Sequence, residues 1–565
     1  MVKTDMKVPL YFQQECSVNI DHCMKRILFS ISLVFSCITM AQDDLGYTQD
    51  EFLRGSITPE REWWDLTFYH LDIEVKPDEK FIQGKNTIRY KVLTEKNVMQ
   101  VDLQPPLKIE KVTQNGKKLD YRKEGENAYM VLLTQPQKQG EENEIVVHYS
   151  GYPKEAIRAP WDGGFSWKKD NNGKHFVATS CQGLGASVWW PNKDHMYDEV
   201  DSMAISVTLP KGLMNVSNGR LKSIEETETR KTTHWYVDSP INNYGVNVNI
   251  GDYVHFGEKY QGENGTLDIN YYVLKDNLEK AREQFKQTKP MLEAFEHWFG
   301  PYPFYEDGFK LVEVPYLGME HQSSVTYGNG YENGYRGIDL SDSGWGLKFD
   351  FIIIHEAGHE WFANNITYKD IADMWIHEGF TAYSENLFLD YHYGTKAASE
   401  YVIGTRKRIM NDSPIIGRYN LNRRGSGDMY YKGANMLHTL RQLVEDDELW
   451  RQTLRGLNKT FFHQTVTTEQ IENYISKKTG KDLKAFFDQY LRNTEIPKLE
   501  YEFDSKVLKY RYANVVPDFD MPVRLFIDGE PHWIFPEKNS QWKTETIKGS
   551  QLKVDPNFYI ESVKL

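Results

Sequence analysis

The segment His355-Glu356-Ala357-Gly358-His359 sets two imidazoles four residues apart with a carboxylate between them. On a helix, positions i and i+4 share a face, so both rings can offer a nitrogen to one metal ion. Glu356 lies about 100° round from His355. There it can stand beside a metal-activated water, which suits a general base better than a ligand. An ordinary helix can carry the same five residues, so the pattern alone is incomplete. A hydrolytic zinc needs a third protein ligand and an open fourth position. Glu378 offers that carboxylate nineteen residues after His359, in Trp375-Ile376-His377-Glu378-Gly379-Phe380, with His377 beside it as the competing ligand. Such a site lowers the pKa of water toward about 7 and gives a nucleophile at neutral pH. Glu385, two turns beyond Glu378, can accept the outer N–H of a liganding histidine and fix its tautomer.

The elements needed to hold these groups follow from the hydrophobic period. Helical spacing runs through 349–363, 376–390, 433–445, 468–478 and 482–492, and Thr467-Thr468-Glu469-Gln470 is a capping box. An earlier helix over 277–298 contains Pro290, which should kink or divide it, and Gly300-Pro301-Tyr302-Pro303 stops it. Lys310–Val314 reads as a short strand leading to Leu317-Gly318-Met319-Glu320-His321. Before this region, from about 60 to 258, apolar and polar residues alternate, as in Leu71–Lys76 and Thr87–Val92, with Asn115-Gly116 and Asn218-Gly219 as turns. After Asn493 and Pro497 strands return, as in Val507–Tyr512 and Val523–Ile527. The expected fold class is multidomain α+β, with an antiparallel N-terminal β domain over 42–258, a mainly helical zinc domain over 259–495 and a small C-terminal β domain over 496–565.

At 565 residues the chain should hold several domains, and 14% aromatic content marks it as globular. A formal net charge of −14 with no basic block argues against nucleic-acid binding. Met24-Lys25-Arg26 followed by the apolar Ile27–Phe35 and by Thr39-Met40-Ala41 has the form of a secretory signal. Residues 1–41 are therefore expected to be a leader, with 1–23 an upstream extension and 24–41 the signal peptide. The destination is exported, periplasmic or secreted, with lipidation at Cys37 as the lesser alternative. Loss of the leader leaves Cys181 as the sole cysteine, so no internal disulfide is expected and Cys181 reads as a small buried hydrophobe. No stretch is apolar enough for a stable membrane span.

The motif His355-Glu356-Ala357-Gly358-His359-Glu360-Trp361-Phe362, then Asn365, then Trp375–Tyr383 resembles the M1 family of zinc aminopeptidases. The eighteen-residue gap between His359 and Glu378 is specific to that pattern. Gly300–Phe304 and Lys432-Gly433-Ala434 resemble further family landmarks. The resemblance covers roughly residues 60–565 and implies a thermolysin-like catalytic domain behind an N-terminal β domain. It implies one zinc on His355, His359 and Glu378, with Glu356 as base. Leu317-Gly318-Met319-Glu320-His321 resembles the family's Gly-Ala-Met-Glu-Asn motif, which implies that Gly318, Met319 and Glu320 bind substrate and that Glu320 holds the substrate ammonium. Leu317, Gly318 and His321 depart from that motif. Gln182, in Ser180-Cys181-Gln182-Gly183, resembles the family glutamine that contacts the same amine. Tyr430-Tyr431-Lys432-Gly433 resembles Tyr-x-Lys-Gly, which makes Tyr430 the oxyanion donor, with Tyr431 as the alternative.

The implied activity is hydrolysis of the N-terminal peptide bond of peptides with a free N-terminus, by an exported bacterial monomer. Only about 70 residues follow Asn493, so the long helical C-terminal domain of large members is not expected. The competing readings are a thermolysin-like endopeptidase, an epoxide hydrolase on the same metal, and a binding protein with a relic site.

Overall fold

The computed structural model describes residues 46–504 and 506–565. The expected leader, with Cys37, lies outside these residues. Asp50–Leu565 forms one compact unit.

The N-terminal third is built on a ten-stranded sheet in which Trp64–Lys76 is central. Alternate residues of this strand are buried, as the period of two requires. They pack with Trp63, Trp64, Trp189 and Trp190 into one core. The expectation of purely antiparallel sheets needs one correction, because Trp64–Lys76 pairs in parallel with Ser202–Pro210. A second sheet of four strands includes Gly164–Lys169 and His175–Ser180, which lead into the loop carrying Gln182.

Asn115-Gly116 joins the paired strands Lys108–Gln114 and Lys117–Glu124, both residues at positive φ as a tight hairpin demands. Asn218-Gly219 does something else. It links strands of different sheets, and the buried Asn218 amide donates to Gly245 O at 2.7 Å and Gln322 O at 2.8 Å. The dipeptide read as a hairpin turn thus tethers the β domain to the segment just after Glu320.

The catalytic region has a five-stranded sheet in the order Tyr253–Gly262, Gly265–Leu274, Phe309–Glu313, Val325–Tyr327, Gly318–Met319. Its first strand runs across residue 258, so we place the division from the β domain just before Tyr253. The helices among the described residues are α1 (Gln49–Gly55), α2 (Leu278–Gln284), α3 (Thr288–Phe299), α4 (Phe351–Gly358), α5 (Trp375–Tyr393), α6 (Thr395–Thr405), α7 (Tyr431–Val444), α8 (Asp447–Thr460), α9 (Thr468–Thr479) and α10 (Lys484–Leu491). Pro290 does divide the 277–298 run: α2 ends in a 3₁₀ turn over Phe285–Gln287, and Pro290 sits in the first turn of α3, where its missing N–H costs nothing. The capping box of α9 is complete, with Thr467 and Gln470 bonded reciprocally.

Two further expectations need correcting. The helix read over 349–363 stops at Gly358, and Glu360–Asn365 is kinked at Phe362 and Ala363. The kink turns the Phe362 carbonyl toward His359 Nδ1, 3.0 Å away. The sequence reading also passed over α6 and α8. α8 carries both a cap, Asp446 accepting from Leu449 N, and an apolar face of Trp450, Leu454 and Leu457.

The C-terminal strands form a four-stranded and a three-stranded sheet, and their core is continuous with that of the catalytic helices. Polar contacts converge on residues 556–559: Tyr490 Oη donates to Tyr559 O at 2.7 Å, Tyr559 N to Thr439 Oγ1 at 2.9 Å and Arg406 Nη1 to Pro556 O at 2.8 Å. His438 on α7 joins them through Nε2, 2.9 Å from Asn557 Oδ1. Burial pulls the His438 pKa down from 6.5 to about 4. The unfolded chain therefore gains a proton near pH 6.5 that the folded chain resists until about pH 4, and stability falls as pH drops through that window. Relative to a His438→Gln variant, unfolding free energy should decline on the order of 2 kcal/mol by about pH 4.5. Urea titrations of both proteins across this range check it, and parallel curves would refute it. No helix among the described residues is long and apolar enough to cross a membrane.

Candidate active site

Three buried helices have to meet to assemble the site, and glycine makes the meeting possible. A Cβ on Gly358 would fall 2.5 Å from Ser384 Oγ, where α4 crosses α5. A Cβ on Gly433 would fall 2.9 Å from Gly379 Cα, where α7 crosses α5 backbone to backbone. The Gly433 of the Lys-Gly-Ala run thus sets the helix spacing behind the site. Asp350 anchors the start of α4: its carboxylate caps Ile352 N and Ile353 N, and accepts from Tyr327 Oη, Asn329 Nδ2 and Gln284 Nε2 at 2.7–2.9 Å. Burial pushes its carboxyl up to about 6. That cap joins the metal helix to the strand beside Gly318-Met319.

His355, His359 and Glu378 converge. Glu378 Oε2 lies 3.6 Å from His355 Nε2 and 3.4 Å from His359 Nε2. Ligands about 2.1 Å from a tetrahedral zinc are themselves about 3.4 Å apart, so the three atoms fit one such ion. Glu378 Oε2 is a buried oxygen with no hydrogen-bond partner, as expected of an atom reserved for a cation. Burial opposes its ionisation, but the two imidazoles hold the carboxyl well below the usual range.

The outer nitrogens are committed. His355 Nδ1 lies 2.7 Å from Glu385 Oε1, and Tyr401 Oη donates to the other Glu385 oxygen at 2.5 Å. His359 Nδ1 faces Phe362 O and Thr381 Oγ1, each at 3.0 Å. Each ring thereby carries its proton outside and its lone pair inside. His377 is not in this set. Its Nε2 accepts from Tyr368 N at 2.9 Å and its Nδ1 is 3.3 Å from Tyr244 Oη.

Glu356 is buried, with an oxygen in one cluster with donor atoms of His359 and Glu320. Burial pushes its carboxyl up to about 7, against the pull of His355. Gly318 has no room for a side chain: a Cβ would meet Ile352 Cγ2 at 2.6 Å and Glu356 Cγ at 3.3 Å. The strand Gly318–Met319 thus lies directly on α4, Met319 faces the core, and Glu320 follows at its end. Glu320 is buried rather than a solvated strand-end charge, and Asn364 Nδ2 pins its backbone carbonyl at 2.9 Å.

His321, at the departure from the motif, turns to Thr326. Its Nδ1 lies 3.3 Å from Thr326 Oγ1, whose own proton goes to Met319 O, and burial drops the ring to about pKa 3. It closes the turn locally as a neutral donor.

The loop of the β domain completes the arrangement. Gln182 Nε2 donates to Glu320 Oε1 at 2.6 Å and to Glu378 Oε1 at 2.8 Å, so one amide bridges the two carboxylates. Cys181 beside it is buried, its Sγ 3.4 Å from Tyr244 O. Tyr430 sits at the N-terminus of α7 with its ring stacked beside His355, centroids 6.1 Å apart and planes 22° apart. Burial first, and the Glu378 charge next, push its pKa well up, so it stays a proton donor. Tyr431 is the first residue of α7. Sequence reasoning missed Asp350, Tyr401, Thr381 and Tyr244. Only Asp350 carried a signal, as an acidic residue just before an apolar helix.

Residues 66–244 match the Peptidase M1 N-terminal domain and residues 283–490 the Peptidase family M1 domain. Among curated relatives, the probable aminopeptidase 2 of Sulfurisphaera tokodaii is 20% identical over 70% of this chain and 52% of its own length. The leukotriene A-4 hydrolase of Xenopus laevis is 21% identical over 74% and 68%, and the leucyl aminopeptidase of Saccharolobus solfataricus 20% over 68% and 51%. The chain thus spans about half to two thirds of the length of these relatives. Among solved structures, the M1 zinc metallopeptidase of Deinococcus radiodurans superposes with a TM-score of 0.66 at 20% identity, covering 78% of this chain and 95% of that one. A Glu-to-Ala mutant of it bound to a Tyr-Ser-Ala substrate gives 0.64, covering 78% and 96%. With both family domains matched in order over 66–244 and 283–490, the chain belongs to peptidase family M1.

Proposed function

We propose that the protein is a zinc aminopeptidase that removes the first residue of peptides with a free N-terminus. One observation carries the reading: Gln182 ties Glu320 to the metal ligand Glu378 through hydrogen bonds of 2.6 and 2.8 Å. A substrate ammonium held by Glu320 would therefore lie beside the metal ligand Glu378.

His355, His359 and Glu378 would hold one zinc, which would supply Lewis acidity to polarise the scissile carbonyl and acidify water. Glu320 binds the ammonium through charge-assisted hydrogen bonds, and the Gln182 carbonyl oxygen adds a neutral acceptor. Glu356 takes the proton of the attacking water and delivers it to the departing amine; burial gives its carboxyl a pKa matched to both jobs. Tyr430 donates its phenolic proton to the oxyanion as the carbonyl becomes tetrahedral.

The chain's expected leader supports export to the periplasm or the outside. The partners are peptides, and the oligomeric state is taken as a monomer. Replacing Glu320 by alanine should lower kcat/KM for an aminoacyl amide roughly 10²-fold. N-acetylation of the substrate should have the same effect on the unmodified enzyme and no further effect on the variant. Internal cleavage of acetylated peptides at an undiminished rate would instead establish an endopeptidase.

A further inference from the structure

The strand Gly318–Met319 is two residues long and ends just before Glu320. The residues that follow, Glu320 to Ser324, are all buried and belong to no strand or helix. Buried backbone carbonyls need partners, and here side chains provide them. Ser323 also sits at φ 53°, in the left-handed region that a residue other than glycine enters at a cost. A segment of this shape holds its place only if its surroundings hold it.

Asparagines do so. Asn364 Nδ2 donates to Glu320 O at 2.9 Å, Asn218 Nδ2 to Gln322 O at 2.8 Å and Asn247 Nδ2 to Ser324 O at 3.1 Å. Alternate carbonyls are thus taken by amides from three different parts of the chain. The asparagines hold one another as well. Asn247 N donates to Asn218 Oδ1 at 2.8 Å, and Asn242 Nδ2 to Asn364 Oδ1 at 3.2 Å. Gly245 closes the circuit, its N–H 2.6 Å from Asn242 Oδ1 and its carbonyl 2.7 Å from Asn218 Nδ2. All four asparagines are buried. Three come from the β domain, and Asn364 comes from the kinked segment after His359.

We infer that Asn218, Asn242, Asn247 and Asn364 are positioning residues for amine recognition, a cradle that sets the main chain at Glu320 relative to the metal site. Gln182 reaches the Glu320 side chain from the same domain. The β domain therefore fixes both the backbone and the carboxylate of that residue. A slack cradle moves the carboxylate away from the ammonium and leaves the three metal ligands where they are. The inference rests on the reading of Glu320 as the amine site.

Asn218→Ala and Asn364→Ala should each raise KM for an aminoacyl amide roughly tenfold, with zinc content unchanged. Asn247→Ala removes only the donor to Ser324 and should give a smaller rise, so it tests the idea if the other two fold badly. Partial unfolding lowers the amount of active enzyme and with it kcat, but leaves KM unmoved. Asn215 is the control, an equally buried asparagine of the β domain whose amide is spent on Ser217 Oγ and Thr233 Oγ1. Asn215→Ala should lower the melting temperature and keep KM. A double-mutant cycle completes the test: Asn218→Ala should lower kcat/KM roughly tenfold in the parent enzyme and less than about twofold in Glu320→Ala. An unchanged KM in all three cradle variants would overturn the inference. So would a similar rise in Asn215→Ala, or equal losses in the two backgrounds of the cycle. If Glu320→Ala itself keeps the parent kcat/KM, the amine-site reading beneath the inference fails instead.

Discussion

Glu356→Gln is expected to reduce kcat by roughly 10²–10⁴-fold while KM changes little. The argument is geometric before it is electrostatic. Glutamine has the same shape, so the contact between this side chain and the Gly318 backbone survives. The variant should therefore fold, bind one zinc and bind substrate. What it loses is a group that can accept a proton from water and return it to the amine. Burial already holds the Glu356 carboxyl near 7, so its basicity is suited to neutral pH. Tyr430 remains a donor with a strongly raised pKa and cannot serve as base. Steady-state kinetics with metal analysis on the same sample decide the matter. A zinc-replete variant that keeps more than about a tenth of the original kcat would remove Glu356 from the base role.

The second large effect concerns metal retention. Glu378→Ala takes away the one carboxylate that faces both Nε2 atoms. Two imidazoles alone hold zinc poorly, and activity should disappear along with the metal. A graded comparison makes the test sharper. Glu385→Gln leaves all three ligand atoms in place and disturbs the hydrogen bonds from His355 and Tyr401 that orient the His355 ring. It should weaken zinc binding by roughly 10–100-fold, whereas Glu378→Ala should weaken it by more than that. Competition with a metal chelator measures both constants. Because zinc binds the folded state, excess metal should also raise the melting temperature of the Glu385 variant toward that of the unmodified protein, but not that of Glu378→Ala. Equal zinc affinity in the two variants would mean that Glu378 is not a ligand.

The metal set was readable because its information is local. A spacing of four within a helix and a carboxylate opening the next helix are one-dimensional facts, and helix geometry converts them into a shared face. The order of β, helical and β regions was readable for the same reason, since the switch from period 2 to period 3.6 is written along the chain. Residues whose partners lie far away were not readable. Tyr244 has no pattern around it, and its contact appears only when His377, 133 positions later, is folded against it. Asn218 looked like a hairpin residue because Asn-Gly usually is one, yet its amide is spent on Gly245 and Gln322. The helix end at Gly358 was misjudged because apolar periodicity continues through Trp361 and Phe362, while the imidazole of His359 needs a carbonyl that a continuing helix would hide. α6 begins at Gly394 without a side-chain cap, so nothing marked its start.

The two hydrogen bonds of Gln182 also have a meaning in time. Their acceptors lie 138 and 196 residues further along the chain. During synthesis the loop emerges long before either carboxylate exists, and Tyr430 comes later still. The site is therefore complete only once the loop and both carboxylates have been brought together. A nascent or unfolded chain carries every reactive group and no means of gripping a substrate's end.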